Sequence, residues 1–177
     1  MNDSLKNFIA LSAICLITAV FLSTVKGVTS SVIDSNEANG EKSELSVVYP
    51  ELLEYESIDI LAYGVPSGVE AMYHTSDGGY IVKLSVSGYK PGMVILCGIS
   101  GDGRLVGASC LSSSETNGTE KTYGERFVGR SADEIDSVDT VSGSTKTTKG
   151  YKNAIKSAFD AINSVKKTRN TGDSNNE

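Results

Sequence analysis

Apolar and polar residues alternate along the middle of the chain in a way that predicts β-strands. Glu70–Thr75 is a short strand-like run, and Tyr80–Val86 has an apolar residue at every second position. Met93–Ile99 is continuously apolar, which is typical of a central strand, and alternation resumes over Leu105–Leu111. Turn residues separate these runs, at Ser76–Gly79, Tyr89–Gly92 and Ser100–Gly103. The simplest arrangement that the pattern predicts is three consecutive antiparallel strands.

A different periodicity, with apolar residues three and four positions apart, follows Thr148 and predicts a helix. Its apolar face consists of Ala154, Ile155, Ala158, Phe159, Ile162 and Val165. A shorter helix is predicted to begin at Pro50, because proline suits the first helical turn. The fold class predicted from these patterns is α+β, a small domain with an antiparallel sheet and a packed C-terminal helix.

The N-terminal region has the pattern of a membrane span. Phe8–Val25 contains no charged residue and would extend about 27 Å as a helix, close to the thickness of a bilayer core. Lys6 and Lys26 flank it, and the sequence after Leu22 is a poor cleavage site. A retained single transmembrane helix is therefore predicted, with a cleaved signal peptide as the alternative. The positive-inside rule favours a cytoplasmic N-terminus.

Composition divides the chain into four regions. We predict an anchor over residues 1–26, a flexible linker over residues 27–46, one domain over residues 47–167 and a disordered tail over residues 168–177. The net charge of −6 argues against a nucleic-acid partner. The single histidine, His74, argues against a histidine-rich metal site and against a catalytic triad, and no metal ligand is predicted.

The three cysteines lack the spacing of metal-binding or redox motifs. They are Cys15, Cys97 and Cys110. If Gly101 and Asp102 form a hairpin turn, Cys97 faces Val106 and Cys110 faces Met93, which is too distant for a disulfide. All three are predicted to be small buried hydrophobic residues or free thiols.

The candidate chemistry lies in Asp139–Thr145, directly before the predicted helix. Four of these positions carry hydroxyls, at Thr140, Ser142, Ser144 and Thr145, and Gly143 allows close approach of a bulky group. Exposed hydroxyls beside a helix N-terminus form a favourable phosphate site, because free N–H groups and the helix dipole attract anions. The alternative is that Thr147 or Thr148 is only the N-cap of the helix.

The run Asp-x-x-Ser-Gly-Ser-Thr resembles the flavinylation motif of FMN-binding domains. The resemblance implies that the Thr145 hydroxyl is esterified to the phosphate of FMN. It also implies that a separate magnesium-dependent flavin transferase, with FAD as donor, recognises Asp139. Ser142, Gly143 and Ser144 would then be cofactor-binding residues around the phosphate.

A second segment, Ser113–Glu120, partly resembles the His-x-Glu-Thr-Pro-Gly-Leu-Gly loop of the same family. Glu115, Thr116 and Gly118 match, and the resemblance implies that they lie against the flavin. Four positions depart from the pattern: Ser113 for His, Asn117 for Pro, and Thr119 and Glu120 for Leu-Gly. The departures concern the ring pocket rather than the covalent site.

Both motifs together are most similar to the G subunit of Rnf ion-translocating electron-transport complexes. The resemblance implies an electron-transfer subunit of a ferredoxin:NAD oxidoreductase, with no catalytic chemistry beyond flavin redox. Its implied partners are other membrane subunits, including a second flavin-carrying subunit, and the flavin transferase during maturation. The implied location is the bacterial inner membrane, with the domain on the extracytoplasmic face. Alternatives are the C subunit of a sodium-translocating NADH:quinone reductase, a stand-alone FMN carrier, and an anchored adhesion or scaffold domain.

Overall fold

The computed structural model describes residue 18 and residues 40–173. For residues 170–173 it describes the backbone but not the side chains. Apart from Thr18, the predicted span Phe8–Val25 lies outside the described residues, as do residues 27–39 of the predicted linker and residues 174–177 of the predicted tail. Within the described part of the chain, no helix combines the length and the hydrophobicity that a membrane crossing requires.

Five antiparallel strands form one sheet in which spatial order follows chain order. The strands are β1 (Tyr55–Ile58), β2 (Val69–Thr75), β3 (Tyr80–Val86), β4 (Met93–Ile99) and β5 (Leu105–Ser112). The three predicted antiparallel strands are confirmed as β3–β5, and the strand-like run Glu70–Thr75 forms β2. The edge strand β1 was not predicted. His74 lies in β2, with its ring centre 4.9 Å from that of Tyr80.

The pairing of β4 with β5 differs by two residues from the predicted register. Cys97 faces Ala108 and Cys110 faces Ile95, so the predicted partners Val106 and Met93 were wrong. The cause is a longer connection than a two-residue turn, because the Ser100 N–H donates to the Arg104 carbonyl at 2.9 Å. A bulge between Gly98 and Ile99 shifts the strand further. Both cysteines are free, as predicted.

One face of the sheet is covered by helix α3 (Thr145–Asp173). The predicted apolar stripe is confirmed, because all six of its residues are buried in a core shared with strands β2–β5. The helix begins three residues before Thr148, and residues 168–173, predicted to be disordered, are helical. Tyr151 lies in the same core and extends the stripe towards the start of the helix.

The opposite face is covered by residues 44–52, which we call the strap. Residues 40–46 are helical (α1), and Glu44 is the first residue of the compact unit that contains the sheet. The helix predicted to begin at Pro50 is absent from the described residues, because the chain turns at that position. Instead, apolar strap residues are buried against Tyr73, Ile81 and Leu96; they are Leu45, Val48, Tyr49 and Leu52. The predicted linker therefore gives way to packed structure before residue 46.

A glycine pair allows the strap to lie directly on the sheet. Gly98 of β4 pairs with Gly107 of β5. A Cβ at Gly98 would lie 2.6 Å from the Val48 carbonyl oxygen, and one at Gly107 would lie 2.7 Å from it. Lys83 adds an ion pair to Glu44 at 2.7 Å. The backbone of the strap can approach only where side chains are missing.

Short helices connect β5 to α3. They are α2 (Glu120–Tyr123) and two 3₁₀ helices, Gly124–Phe127 and Ala132–Ser137; a third 3₁₀ turn, Ile60–Ala62, follows β1. Tyr123 and Phe127 are buried, with ring centres 5.1 Å apart, and Tyr123 lies 5.6 Å from Tyr151 of α3. This aromatic cluster attaches the connecting segment to the helix that follows the Asp139–Thr145 motif.

Candidate functional site

The two motifs singled out in the sequence meet at one cleft beside the N-terminus of α3. The cleft has a volume of about 500 Å³, within the usual range for small-molecule sites of roughly 300–1,000 Å³. Its lining consists of Tyr89, Glu115, Thr116, Asn117, Gly143, Ser144, Thr145, Lys146 and Thr147. Three separate segments therefore form the walls: the β3–β4 turn, the loop after β5, and the start of α3.

Asn117 and Thr119 join the loop after β5 to the loop before α3. The Asn117 side-chain amide donates to the Gly143 carbonyl at 3.0 Å and to the Ser144 hydroxyl at 3.1 Å. The Thr119 and Ser144 hydroxyls lie 2.8 Å apart. Ser144 is buried, so its hydroxyl is used for this junction. Asn117 replaces a proline of the resembled pattern, and a proline could not make these contacts.

The Glu115 carboxylate joins all three walls. One oxygen accepts the Lys90 backbone N–H at 2.8 Å, and the other accepts the hydroxyl proton of Thr147. Partial burial by itself would raise the pKa of the Glu115 carboxyl, but hydrogen bonds from Thr147 and from the backbone of Lys90 and Tyr89 outweigh it, so the pKa lies below its usual value. Glu115 is therefore an ionised group whose two oxygens already have protein partners.

Two glycines let the β3–β4 turn lie against the first turns of α3. A Cβ on Gly88 would lie 2.7 Å from the Glu115 carboxylate and 3.1 Å from the Thr147 Cα. A Cβ on Gly150 would lie 2.5 Å from the Ser87 carbonyl oxygen. These three distances are shorter than normal contacts of a Cβ atom, so the close approach requires glycine at positions 88 and 150. The position of Tyr89 relative to α3 is set by this contact.

Thr145 is exposed and is the first residue of α3. Thr148 makes the first helical bond, from its N–H to the Ser144 carbonyl at 2.9 Å. The N–H groups of Thr145, Lys146 and Thr147 consequently have no acceptor within the helix and are available to an anion. Gly143 has φ +80°, in the left-handed region that favours glycine. The turn that contains it is closed by a hydrogen bond from the Ser144 N–H to the Val141 carbonyl, and α3 begins at the next residue.

The alternative assignment of Thr147 or Thr148 as the helix N-cap is wrong. Both residues lie inside α3, since the helix begins at Thr145. The Thr148 hydroxyl donates back to the carbonyls of Ser144 and Thr145, at 3.0 and 3.2 Å, and Thr147 donates to Glu115. Their hydroxyls thus stabilise the start of the helix and the wall of the cleft.

The segment before the motif is held firmly while the Asp139 side chain remains exposed. Tyr123 donates its hydroxyl to the Asp139 carbonyl at 2.9 Å, and Lys152 of α3 donates to the Val138 carbonyl at 2.7 Å. Lys156 forms an ion pair with Asp136 at 2.6 Å, and this hydrogen-bonded contact lowers the pKa of the Asp136 carboxyl. The Asp139 carboxylate faces solvent outside the cleft lining.

The predicted site residues fall into two groups. Five of them line the cleft: Glu115, Thr116, Gly143, Ser144 and Thr145. Ser142, Gly118 and Asp139 lie outside the lining. Sequence reasoning missed four lining residues, which are Tyr89, Asn117, Lys146 and Thr147. The available signals were weak, because Tyr89 was assigned to a turn that resembles the family core and Asn117 to a departure from a pattern, and neither was given a role in the site.

Two other departures from the resembled loop bind each other below the cleft. The Ser113 hydroxyl donates to one carboxylate oxygen of Glu120 at 2.7 Å. Glu120 is only 3% exposed, and its other oxygen has no hydrogen-bond partner among the described residues. Neither residue lines the cleft, so this pair affects the support of the loop rather than its surface.

All nine residues that line the cleft lie within one stretch of the chain that matches a known protein family. Residues 88–160 match the FMN-binding domain family. A comparison with curated proteins gave no match. The matched FMN-binding domain indicates a flavin-binding electron carrier. The cleft fits such a cofactor, because helix N–H groups available to a phosphate lie beside an aromatic side chain, Tyr89, which is 64% exposed and lines the cleft.

Proposed function

We propose that the FMN-binding domain carries FMN covalently, as a phosphoester on the Thr145 hydroxyl. The observation that carries the proposal is the place of Thr145: an exposed hydroxyl that lines the cleft at the first residue of α3. Of the hydroxyls in the Asp139–Thr145 motif, Ser144 is buried and hydrogen-bonded, whereas Thr140 and Ser142 lie outside the cleft lining. Thr145 is the motif hydroxyl that combines exposure with a position in the cleft.

The attachment is a phosphoryl transfer made by a separate flavin transferase, with FAD as donor. The Thr145 oxygen forms a bond to the phosphorus on the flavin side of the pyrophosphate, the bond between that phosphorus and the bridging oxygen breaks, and AMP leaves. The hydroxyl proton passes to a base of the transferase. The exposed Asp139 carboxylate is available for recognition by that enzyme, and the anchored backbone around it presents the motif in one conformation.

The residues of the cleft then hold the cofactor in place. FMN supplies transfer of one or two electrons when bound. The N–H groups of Thr145, Lys146 and Thr147 and the positive end of α3 stabilise the phosphodiester charge. Glu115 and Asn117 keep the three walls together, and neither needs to contact the cofactor to do so.

The biological setting that we propose is a subunit of an Rnf-type ion-translocating ferredoxin:NAD oxidoreductase. The uncharged stretch Phe8–Val25 supports an N-terminal anchor in the bacterial inner membrane, with the domain on the extracytoplasmic face. The partial match of Glu115, Thr116 and Gly118 to the resembled loop supports a flavin-carrying subunit, and the C subunit of a quinone reductase is the alternative. Partners in the complex would be membrane subunits, including a second flavin carrier.

The test is covalent flavin fluorescence on a denaturing gel. The full-length chain is produced with an active flavin transferase, and the gel is viewed under ultraviolet light. Wild-type protein is expected to give a fluorescent band, and Thr145→Ala is expected to give none, because the accepting oxygen is removed. Thr168→Ala serves as the matched control, since Thr168 is an exposed threonine on α3 whose hydroxyl bonds only within the helix, to Ser164.

The outcomes separate the alternatives. A band in Thr145→Ala equal to that of wild type would move the attachment to another hydroxyl. A wild-type protein with no band, beside a known transferase substrate that is labelled in the same cells, would overturn covalent attachment. An absence of bound flavin in any form would leave the adhesion or scaffold reading.

A further inference from the structure

Tyr89 differs from every other tyrosine of the chain. It is 64% exposed, whereas the remaining tyrosines are buried or half-buried. It lies in the β3–β4 turn and lines the cleft opposite the start of α3. Burial of aromatic surface is strongly favourable in water, so an aromatic ring left open in a polar cleft is a ready contact surface for a planar ligand.

Although the Tyr89 side chain is exposed, the backbone on both sides of it is held by hydrogen bonds. The Gly88 N–H donates to the Lys90 carbonyl at 3.1 Å, and the Lys90 N–H donates to Glu115 at 2.8 Å. Gly88 also contacts the first turn of α3, where a Cβ would lie 3.1 Å from the Thr147 Cα. The residues on both sides of Tyr89 are thus fixed to the cleft, and the ring is presented at a defined place.

Lys146 shows which face of the ring is accessible from the attachment point. Its ammonium nitrogen lies over the Tyr89 ring, 5.6 Å from the ring centre, in a cation–π contact. Lys146 directly follows Thr145, so a lysine side chain from the neighbouring residue already reaches this face. The ribityl phosphate chain of FMN is no shorter than a lysine side chain, and a flavin attached to Thr145 reaches the same face.

We propose that Tyr89 is the stacking residue for the flavin ring, and that the ring takes the position over Tyr89 that the Lys146 ammonium occupies. The proposal rests on the proposed function, because it places a flavin attached at Thr145. Lys146 is exposed and has rotatable side-chain bonds, so it moves off the ring face at little cost. The positive charge of Lys146 then remains beside the phosphodiester on Thr145.

The test is the fluorescence lifetime of the attached flavin in the folded, full-length protein. A tyrosine in contact with an excited flavin donates an electron to it and takes the electron back, which quenches the fluorescence. Wild-type protein is therefore expected to show a short lifetime that lengthens several-fold when the protein is unfolded in urea. Tyr89→Leu is expected to show the long lifetime already in the folded state. Tyr55→Leu, on edge strand β1 and outside the cleft lining, is expected to behave as wild type.

A second variant separates stacking from quenching. Tyr89→Phe keeps an aromatic face but is a much poorer electron donor, so it is expected to retain the visible circular dichroism of the bound flavin while its lifetime lengthens. Tyr89→Leu is expected to lose both signals. Because Tyr89 is exposed, neither substitution removes core packing.

The proposed function is read separately, from the fluorescent band of each variant on a denaturing gel. An intact band with an unchanged short lifetime in Tyr89→Leu overturns the stacking role and leaves covalent attachment standing. A wild-type protein without a band overturns both. A band that disappears in Tyr89→Leu alone assigns Tyr89 to recognition by the transferase and overturns the stacking role.

Discussion

Replacing Glu115 by glutamine tests whether the ionised carboxylate holds the cleft together. Glutamine keeps the size of the side chain and can still accept the Lys90 N–H through its oxygen and meet the Thr147 hydroxyl through its amide. What it removes is the negative charge shared by two hydrogen bonds. The perturbation is therefore electrostatic, and it leaves the shape of the three walls unchanged.

The expected cost follows from the two contacts. A hydrogen bond to a charged group contributes about 1.5–3 kcal/mol, against about 0.5–1.5 kcal/mol for a neutral one. Glu115 is only half-buried, so water screens part of this difference, and Glu115→Gln is expected to lower the free energy of unfolding by about 1–2 kcal/mol. For a domain of this size that corresponds to a fall in Tm of roughly 3–8 °C. Glu115→Ala, which removes both acceptors, is expected to cost more.

The pH dependence has a definite sign. The pKa of the Glu115 carboxyl is lowered in the folded protein, so its contribution is fully present above the unfolded value of about 4.3. The contribution is lost as the pH falls through the lower, folded value. Wild type and Glu115→Gln are therefore expected to differ in stability at pH 7 and to converge only when the pH falls below the lowered pKa of the folded protein.

Urea denaturation, followed by circular dichroism at a series of pH values, measures this directly. Glu70→Gln is the matched control, since Glu70 is exposed on β2 and its substitution is expected to change stability by less than about 0.5 kcal/mol. Equal stability of wild type and Glu115→Gln at pH 7 would show that the charge of Glu115 does not hold the three walls together. A difference that persists unchanged at low pH would show that the charge is not its cause.

Two further predictions concern the packing of α3 and the N-terminal anchor. Gly150→Ala should destabilise the domain although alanine favours a helix by about 1 kcal/mol, because its Cβ would lie 2.5 Å from the Ser87 carbonyl oxygen and such overlap costs about 1–3 kcal/mol. Asn153→Ala, exposed on the same helix, is the control, and an equal gain in Tm for both variants would contradict the reasoning. Removal of residues 1–26 should transfer the protein from washed membranes to the soluble fraction; a truncated chain that stays in the membranes would refute the anchor.

The strands and the long helix could be predicted because their patterns are locally strong. The alternation over Tyr80–Val86 and the stripe on α3 each mark the face that packs in the core between the sheet and α3, and Tyr80, Val82 and Leu84 of that strand are buried there. β1 was missed, because Tyr55–Ile58 is a short edge strand with two exposed residues and therefore carries little hydrophobic signal. The β4–β5 register was wrong because it depends on a five-residue connection, Ser100–Arg104, and on a bulge, neither of which alternation specifies.

The strap could not be predicted, because it is defined by a long-range contact. Pro50 suits a helix start by its local preference, but the neighbouring residues Val48 and Tyr49 are buried against the sheet. That packing depends on Gly98 and Gly107, which lie about fifty residues further along the chain. Tertiary contact overrides local propensity here.

The cleft was predicted where a motif names the residues and missed where only the fold brings them together. Thr145 and Glu115 were found by resemblance, and both line the cleft. Tyr89 enters through the glycine contact between the β3–β4 turn and α3, and Asn117 through hydrogen bonds to the opposite loop. Such juxtapositions follow from strand order and turn length, so they become visible only in three dimensions.

The position of the strap also determines how the domain bears mechanical load. Tension on the chain upstream of residue 44 enters the fold at Glu44, whose ion pair with Lys83 and whose neighbour Leu45 attach it to the sheet. This attachment is on the face opposite α3, so the thickness of one sheet separates the strap from the helix that begins at Thr145. A pull applied upstream of Glu44 is therefore expected to load the contacts of the strap before it reaches the start of α3.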